Sequence, residues 1–140
     1  MRIVSGTHRG RKINIPKTLT IRPTTDMSKE SLMNILSFKY DFFSIKALDL
    51  FSGSGNISYE FCSRGCKKVS AVEKNRKCWK FIKKKSAELK FVIKVYNQDV
   101  FYYLNKTSLT FDVIFADPPY SFKIHQYEDL VSLIFKKRII

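Results

Sequence analysis

The chain has 140 residues, of which 44% are hydrophobic and 14% aromatic, and it carries a formal net charge of +14. This length suits a single domain with a core of its own, and the composition excludes a disordered tail. No apolar run approaches the roughly 18 residues that a membrane span requires, and the first residues lack the apolar stretch of a secretory signal. We therefore expect a cytoplasmic protein that does not act on a membrane.

The positive charge and the cysteines each indicate little by themselves. A field of this size attracts polyanions, but a lysine-rich surface is also typical of proteins from A/T-rich genomes, so the charge supports nucleic-acid binding only weakly. Cys62, Cys66 and Cys78 are odd in number, and neither His8 nor His125 lies near them in a zinc-binding pattern. The sequence therefore predicts no metal site.

Residues 1–25 differ in pattern from the rest of the chain. Residues 2–6 and 11–15 resemble two short strands, and the turn between them is punctuated by Gly6 and Gly10. Two prolines then favour an extended connection. We predict a basic N-terminal hairpin and extended segment over 1–25, followed by the main domain over 26–140.

From Asp26 onward the chain alternates between helical and strand patterns. The first helix begins near Asp26, with Asp26 or Ser28 as its cap. The predicted strands are 45–51, 69–73, 91–96 and 111–117, and the helices between and after them are 56–64, 75–89, 100–104 and one beyond 120. This alternation predicts an α/β fold, a mostly parallel sheet covered by helices on both sides.

Three strand ends carry residues that suit a cofactor, because ligands of open α/β sheets bind at the carboxyl ends of the strands. The loop from Asp49 and Phe51 to Gly53 and Gly55 permits a tight turn without side chains that would block a ligand. Glu73, twenty positions after Gly53, can accept hydrogen bonds from both ribose hydroxyls. Asp99, after the third strand, can accept from an adenine amino group.

The same features fit a nicotinamide dinucleotide almost as well, although Ser58 replaces the third glycine of that fingerprint. Together, the glycine pair and the two carboxylates indicate an adenosine-containing cofactor.

The fourth strand ends in Asp117-Pro118-Pro119-Tyr120. The proline rings hold the backbone extended and donate no N–H, so the turn presents only acceptors. An exocyclic base amine can donate its two hydrogens to the Asp117 carboxylate and the Pro118 carbonyl, which directs its lone pair toward a methyl donor. Tyr120 offers a face on which the base can stack. This turn therefore predicts transfer of a methyl group from S-adenosylmethionine to a base amine.

The sequence resembles the RsmD-type bacterial methyltransferases of small-subunit ribosomal RNA along nearly its whole length. The matching segments are 2–6, 9–12, 22–26, 29–32, 48–55, 63–65, 72–74, 111–112 and 117–120. The resemblance implies a Rossmann-like fold dependent on S-adenosylmethionine, and methylation of the N2 amine of a guanine in 16S ribosomal RNA within the small ribosomal subunit. The basic residues of the family-specific segments then become candidate RNA contacts: Arg9, Arg11, Lys12 and Arg22.

The sequence departs from that family at two places. Met27 and Ser28 replace a basic and an aliphatic residue, and only four of the family's seven strands can be identified before Ile140. We therefore expect the fifth strand and the terminal hairpin to be missing. Two alternatives remain open: a DNA adenine-N6 methyltransferase, and a catalytically inactive RNA-binding remnant.

Overall fold

The computed structural model describes residues 1–21 and 24–140. Within these residues five α-helices alternate with four β-strands, as the sequence predicts. The helices are Asp26–Lys39 (α1), Asn56–Ser63 (α2), Arg76–Glu88 (α3), Val100–Lys106 (α4) and Ile124–Lys136 (α5). The strands are Lys46–Leu50 (β1), Lys68–Val72 (β2), Ile93–Tyr96 (β3) and Val113–Ala116 (β4), and a 3-10 turn occupies Phe42–Ser44. No helix in the described ranges is long and apolar enough to cross a membrane.

The four strands form one parallel sheet in the order β3-β2-β1-β4. Successive residues of β1 point to opposite faces of the sheet, so Ala47 packs toward α1 and α2 while Leu48 packs toward α4 and α5. Both residues are fully buried. The alternation of helices and strands thus produces the predicted α/β layers, and it brings the carboxyl ends of all four strands to one edge.

The cap of α1 differs from the sequence-based prediction. Thr25, not Asp26 or Ser28, is the N-cap, and its side chain accepts a hydrogen bond from the Ser28 backbone N at 3.1 Å. The N-cap must keep an extended backbone just before the first helical residue, and Thr25 does so with φ −66° and ψ 151°. Asp26 lies inside the first turn, where its negative charge favours the helix N-terminus.

The predicted N-terminal hairpin forms, but it is short: Ile3 N donates to Arg11 O at 2.9 Å, Ile13 N donates to Met1 O at 2.9 Å, and Arg2 and Lys12 form an antiparallel bridge. The pairing ends before the predicted limits of 6 and 15, because the next backbone N–H groups of the first strand bond to α2 instead. Val4 N and Ser5 N donate to the two carboxylate oxygens of Glu60, at 2.9 and 3.1 Å. The segment is therefore both folded on itself and attached to α2.

A buried ion network holds this attachment. Lys29 of α1 and Glu60 of α2 are both fully buried, and Lys29 Nζ lies 3.2 Å from Glu60 Oε1. Lys29 also donates to the Arg2 carbonyl at 2.6 Å, and Arg64 Nε donates to Glu60 Oε2 at 2.9 Å. Burial alone would raise the pKa of Glu60, but the hydrogen bonds from Val4, Arg64 and Ser5 and the charge of Lys29 lower it below its usual range.

Candidate active site

A cavity of about 830 Å³ opens at the carboxyl ends of the strands. Eight of the residues predicted to form the site line this one cavity: Asp49, Phe51, Gly53, Glu73, Asp99, Asp117, Pro118 and Tyr120. They come from the end of β1 and from the loops after all four strands, which the parallel topology brings to one edge. The structure thus brings the predicted cofactor residues and the predicted base-binding residues together.

The two glycines in the loop after β1 have different structural roles. Gly53 lines the cavity with φ +59°, and among the described residues a Cβ there would meet one atom within 4 Å, in the Ile21 side chain at 3.5 Å. Gly55 does not line the cavity; it is the N-cap of α2 with φ +87°. A Cβ on Gly55 would lie 2.7 Å from Tyr59 Cζ, so only glycine fits there. Gly53 exposes backbone to a ligand, whereas Gly55 lets α2 begin.

Glu73 is held in place by two backbone amides. Its Oε1 accepts a hydrogen bond from Gly53 N at 2.8 Å, and its Oε2 accepts one from Asn75 N at 2.7 Å. These bonds fix the carboxylate between the glycine loop and the start of α3. Each carboxylate oxygen has a second lone pair, so the group can still accept from the hydroxyls of a bound ligand.

Asp49 is buried beneath the same loop. Its Oδ2 accepts hydrogen bonds from the Ser58 hydroxyl at 2.7 Å and from Ser58 N at 3.2 Å. Burial raises the pKa of Asp49 to about 7, although the Ser58 bonds act in the opposite direction. Ser58, which replaces a glycine of the dinucleotide fingerprint, therefore anchors α2 to the end of β1.

Asp99 is the N-cap of α4. Its Oδ2 accepts hydrogen bonds from Phe101 N at 3.0 Å and Tyr102 N at 3.2 Å. Both bonds use the same oxygen, so the carboxylate is oriented while Oδ1 keeps its capacity to accept from a ligand. Helix capping and ligand binding are compatible at this residue.

The turn after β4 is buried where it begins and exposed where it ends. Pro118 is buried and Asp117 is half-buried, whereas the Tyr120 side chain is 85% exposed. All three line the cavity. An exposed aromatic ring at the mouth of a cavity offers a surface on which a flat base can stack.

Three aromatic residues that line the cavity were not predicted from the sequence: Phe101, Phe115 and Phe122. Phe122 makes an edge contact with Phe51 at 5.3 Å between ring centres, and it stacks on Phe101 at 6.2 Å with planes 19° apart. Phe101 and Phe122 each lie two positions after a predicted site residue, Asp99 and Tyr120, and that spacing was the available signal. These rings give one side of the cavity an apolar surface.

The N-terminal segment also contributes to the cavity, and no sequence signal indicated this. The lining includes several of its residues together with the first residue of α2: Met1, Thr20, Ile21, Thr24 and Asn56. Their position depends on the buried contacts of Lys29, whose Nζ donates to Asn56 Oδ1 at 2.7 Å.

The predicted RNA contacts Arg9, Arg11 and Lys12 do not line the cavity. Arg9, Arg11 and Lys12 are exposed on the N-terminal segment, and Arg22 lies outside the described residues. Their contact with RNA stays a prediction. Over 1–21 and 24–140, no group of three or more His, Cys, Asp or Glu side chains is placed to hold a metal ion.

A family model and several relatives of known name match this chain over most of its length. The family model "Conserved hypothetical protein 95" matches residues 1–140. Ribosomal RNA small subunit methyltransferase D of Haemophilus influenzae is 36% identical over 139 residues, which cover 96% of this chain and 70% of that protein. A Bacillus subtilis protein, named as a proposed rRNA methyltransferase, is 35% identical over 139 residues, or 96% of this chain and 73% of that protein.

A solved structure extends the similarity to three dimensions. An Escherichia coli protein, proposed to be a methyltransferase, superimposes with a TM-score of 0.85 at 28% identity and covers 98% of this chain and 72% of that chain. The sheet order, the glycine loop and the Asp-Pro-Pro-Tyr turn lie within the matched region. The chain therefore belongs to the Conserved hypothetical protein 95 family, which includes ribosomal RNA small subunit methyltransferase D, and it has the Rossmann-like methyltransferase fold.

Proposed function

We propose that this chain transfers a methyl group from S-adenosylmethionine to the exocyclic N2 amine of a guanine in 16S ribosomal RNA, within the small ribosomal subunit. The observation that carries the proposal is the single cavity in which Gly53, Glu73 and Asp99 lie with Asp117 and Pro118. The names of the relatives support the ribosomal RNA substrate.

The residues of the cavity fit S-adenosylmethionine. A volume of about 830 Å³ lies within the range of roughly 300–1,000 Å³ that is usual for small-molecule sites. In this proposal the Glu73 carboxylate binds the ribose hydroxyls and Asp99 accepts from the adenine amino group. Gly53 leaves room for the ligand to approach the backbone. When bound, S-adenosylmethionine supplies an electrophilic methyl group on a sulfonium.

The turn after β4 would hold the base. Asp117 and the Pro118 carbonyl accept the two N–H bonds of the guanine amine, and Tyr120 stacks on the ring, a contact worth about 1–3 kcal/mol per base. As the bond from nitrogen to the methyl carbon forms and the sulfur–carbon bond breaks, the amine gives up one proton, which Asp117 accepts. The residues contribute through positioning and desolvation, because a direct displacement requires no covalent intermediate.

A methyl-transfer assay tests the proposal. The chain is incubated with radiolabelled S-adenosylmethionine and with unmethylated small ribosomal subunits, their deproteinised RNA, or duplex DNA. We expect label in N2-methylguanosine from the ribosomal samples. Label in N6-methyladenine of the duplex would support a DNA methyltransferase instead, and absence of S-adenosylmethionine binding would support an RNA-binding remnant.

Asp117→Ala separates binding from chemistry in the same assay. This variant should keep its affinity for S-adenosylmethionine and lose methyl transfer, because Asp117 contacts the base in the proposal. The matched control is Asp129→Ala, the same change at an exposed position of α5 outside the cavity. Normal turnover in Asp117→Ala would refute its assigned role.

A further inference from the structure

A second cavity, of about 460 Å³, lies at the amino ends of the strands, on the edge of the sheet opposite the candidate active site. We name it the lysine groove, after the four basic residues in its lining: Lys46, Lys67, Lys68 and Lys94. The remaining lining comes from Val69, Ser70, Val92 and the loop 108–111 after α4.

Three of these lysines point to the same face of the sheet. Lys46 of β1 and Lys68 of β2 are register partners in a parallel pair, so their side chains lie side by side. Lys94 of β3 is the register partner of Ser70, two residues after Lys68. Side chains two apart in a strand share a face, so the row extends across three strands spaced about 4.8 Å apart.

The charges of this row are not balanced within the groove. No acidic side chain lines it, and the described residues provide no ion pair for Lys67, Lys68 or Lys94. Asp112 lies next to the groove, where its Oδ2 accepts from the Lys46 backbone N at 2.8 Å, so a single adjacent negative charge faces four positive ones. Like charges in cross-strand register destabilise a sheet, and a cleft lined by one sign of charge concentrates its field. The groove therefore favours an anionic ligand.

We propose that the lysine groove binds the phosphate backbone of the RNA substrate, as a second contact on the edge opposite the methylation site. This inference rests on the proposed function. A row of lysines across three strands suits a chain of phosphates better than a single anion, because the charges are spread along an edge. Val92 and Leu109, which are 79% and 39% exposed, add apolar surface for the sugars and bases.

The remaining lysine contacts leave the row available for phosphates. Lys46 Nζ donates to Thr110 Oγ1 at 3.2 Å, and Lys67 Nζ lies 5.9 Å from the centre of the Phe43 ring. A hydroxyl partner and an aromatic ring position these cations without neutralising them. The β1 strand of five residues, at about 3.3 Å each, separates the groove from the active site by a distance that a folded RNA can span.

The test compares two triple variants with equal charge. One is Lys67→Gln, Lys68→Gln and Lys94→Gln; the control is Lys39→Gln, Lys136→Gln and Lys137→Gln, exposed positions outside both cavities. Affinity for deproteinised small-subunit RNA is measured against salt concentration. Each lost phosphate contact reduces the slope of log affinity on log salt by about 0.7–0.9. The slope of the groove variant should therefore be smaller than that of the control by about 2 to 3.

Measurements of cofactor binding and of stability separate a lost RNA contact from a damaged fold. The groove variant should bind S-adenosylhomocysteine as the parent does, and its free energy of unfolding without RNA should be no lower than that of the control. Lys94→Gln alone, at an exposed position, should reduce the salt slope by about one and keeps the test valid if the triple variant does not fold.

Equal salt slopes in the two triple variants would overturn the proposal. Binding of inorganic tripolyphosphate at the groove, with RNA binding unchanged in the groove variant, would also overturn it, because the site would then serve a small anion. A parent chain that neither binds nor methylates ribosomal RNA refutes the proposed function. A parent that methylates it, with a groove variant equal to the control, refutes the groove assignment alone.

Discussion

Replacing Glu73 with alanine tests the cofactor half of the site most directly. The side chain accepts from Gly53 N and Asn75 N and is proposed to accept from the ribose hydroxyls as well. A hydrogen bond to a charged group is worth about 1.5–3 kcal/mol, so Glu73→Ala should weaken cofactor binding roughly 10- to 150-fold. Glu73→Gln should also weaken it, because its NH₂ group faces one of the two backbone N–H donors.

Isothermal titration calorimetry with S-adenosylhomocysteine measures the effect. The matched control is Glu88→Ala, the same change at the exposed end of α3, outside the cavity. Its affinity should equal that of the parent. Urea unfolding establishes that each variant is folded, since backbone amides left without an acceptor also affect stability. An unchanged affinity in folded Glu73→Ala would remove Glu73 from the cofactor site.

Three other predictions concern stability and RNA binding. Glu60→Ala leaves the Lys29 charge buried without its partner and should lower the free energy of unfolding by about 3–5 kcal/mol; adding Lys29→Met should recover only the part due to the unpaired charge, because Val4 N, Ser5 N and Arg64 Nε still lack their acceptor, and equal losses in the single and double variants would contradict the ion pair. Burial raises the pKa of Asp49 to about 7, above its unfolded value of about 3.9, so the native state binds more protons between these values and stability falls as pH rises through that window. Asp49→Asn should flatten this slope in urea unfolding, and an unaltered slope would show that Asp49 does not titrate there. Changing Arg9, Arg11 and Lys12 to alanine should reduce the salt slope of RNA affinity by about 2 to 3; a change in stability alone would make them a solvated surface.

The features that sequence analysis predicted well are those with local causes. Hydrophobic runs that alternate with helical patterns predicted the four strands to within one or two residues at each end. Because parallel strands share their carboxyl edge, the residues after each strand converge, and Glu73 and Asp117 line one cavity as expected. Local pattern and topology were sufficient to predict that these residues converge, while their roles stay predictions.

The features that were not predicted from the sequence depend on contacts between distant segments. Lys29 and Glu60 have the side chains of surface residues, and they can be buried because they pair with each other and with further hydrogen-bond partners from distant segments. The same contacts attach the short N-terminal hairpin to α2. The Asp49–Ser58 bond links positions nine apart, and no periodicity encodes it. Buried polar partners of this kind are specified by the tertiary fold.

The attachment of residues 1–6 to Glu60 has a consequence for the dynamics of the chain. Detachment of residues 1–6 from α2 would expose Glu60 and Lys29 together, and it would remove the acceptor of the Val4 and Ser5 amides. Local opening therefore costs nearly as much as opening α2 itself. In hydrogen exchange the amides of Val4 and Ser5 should be protected like those of α2. Since Met1 lines the cofactor cavity, the same cooperative unit would determine how rigid the cavity is before any ligand arrives.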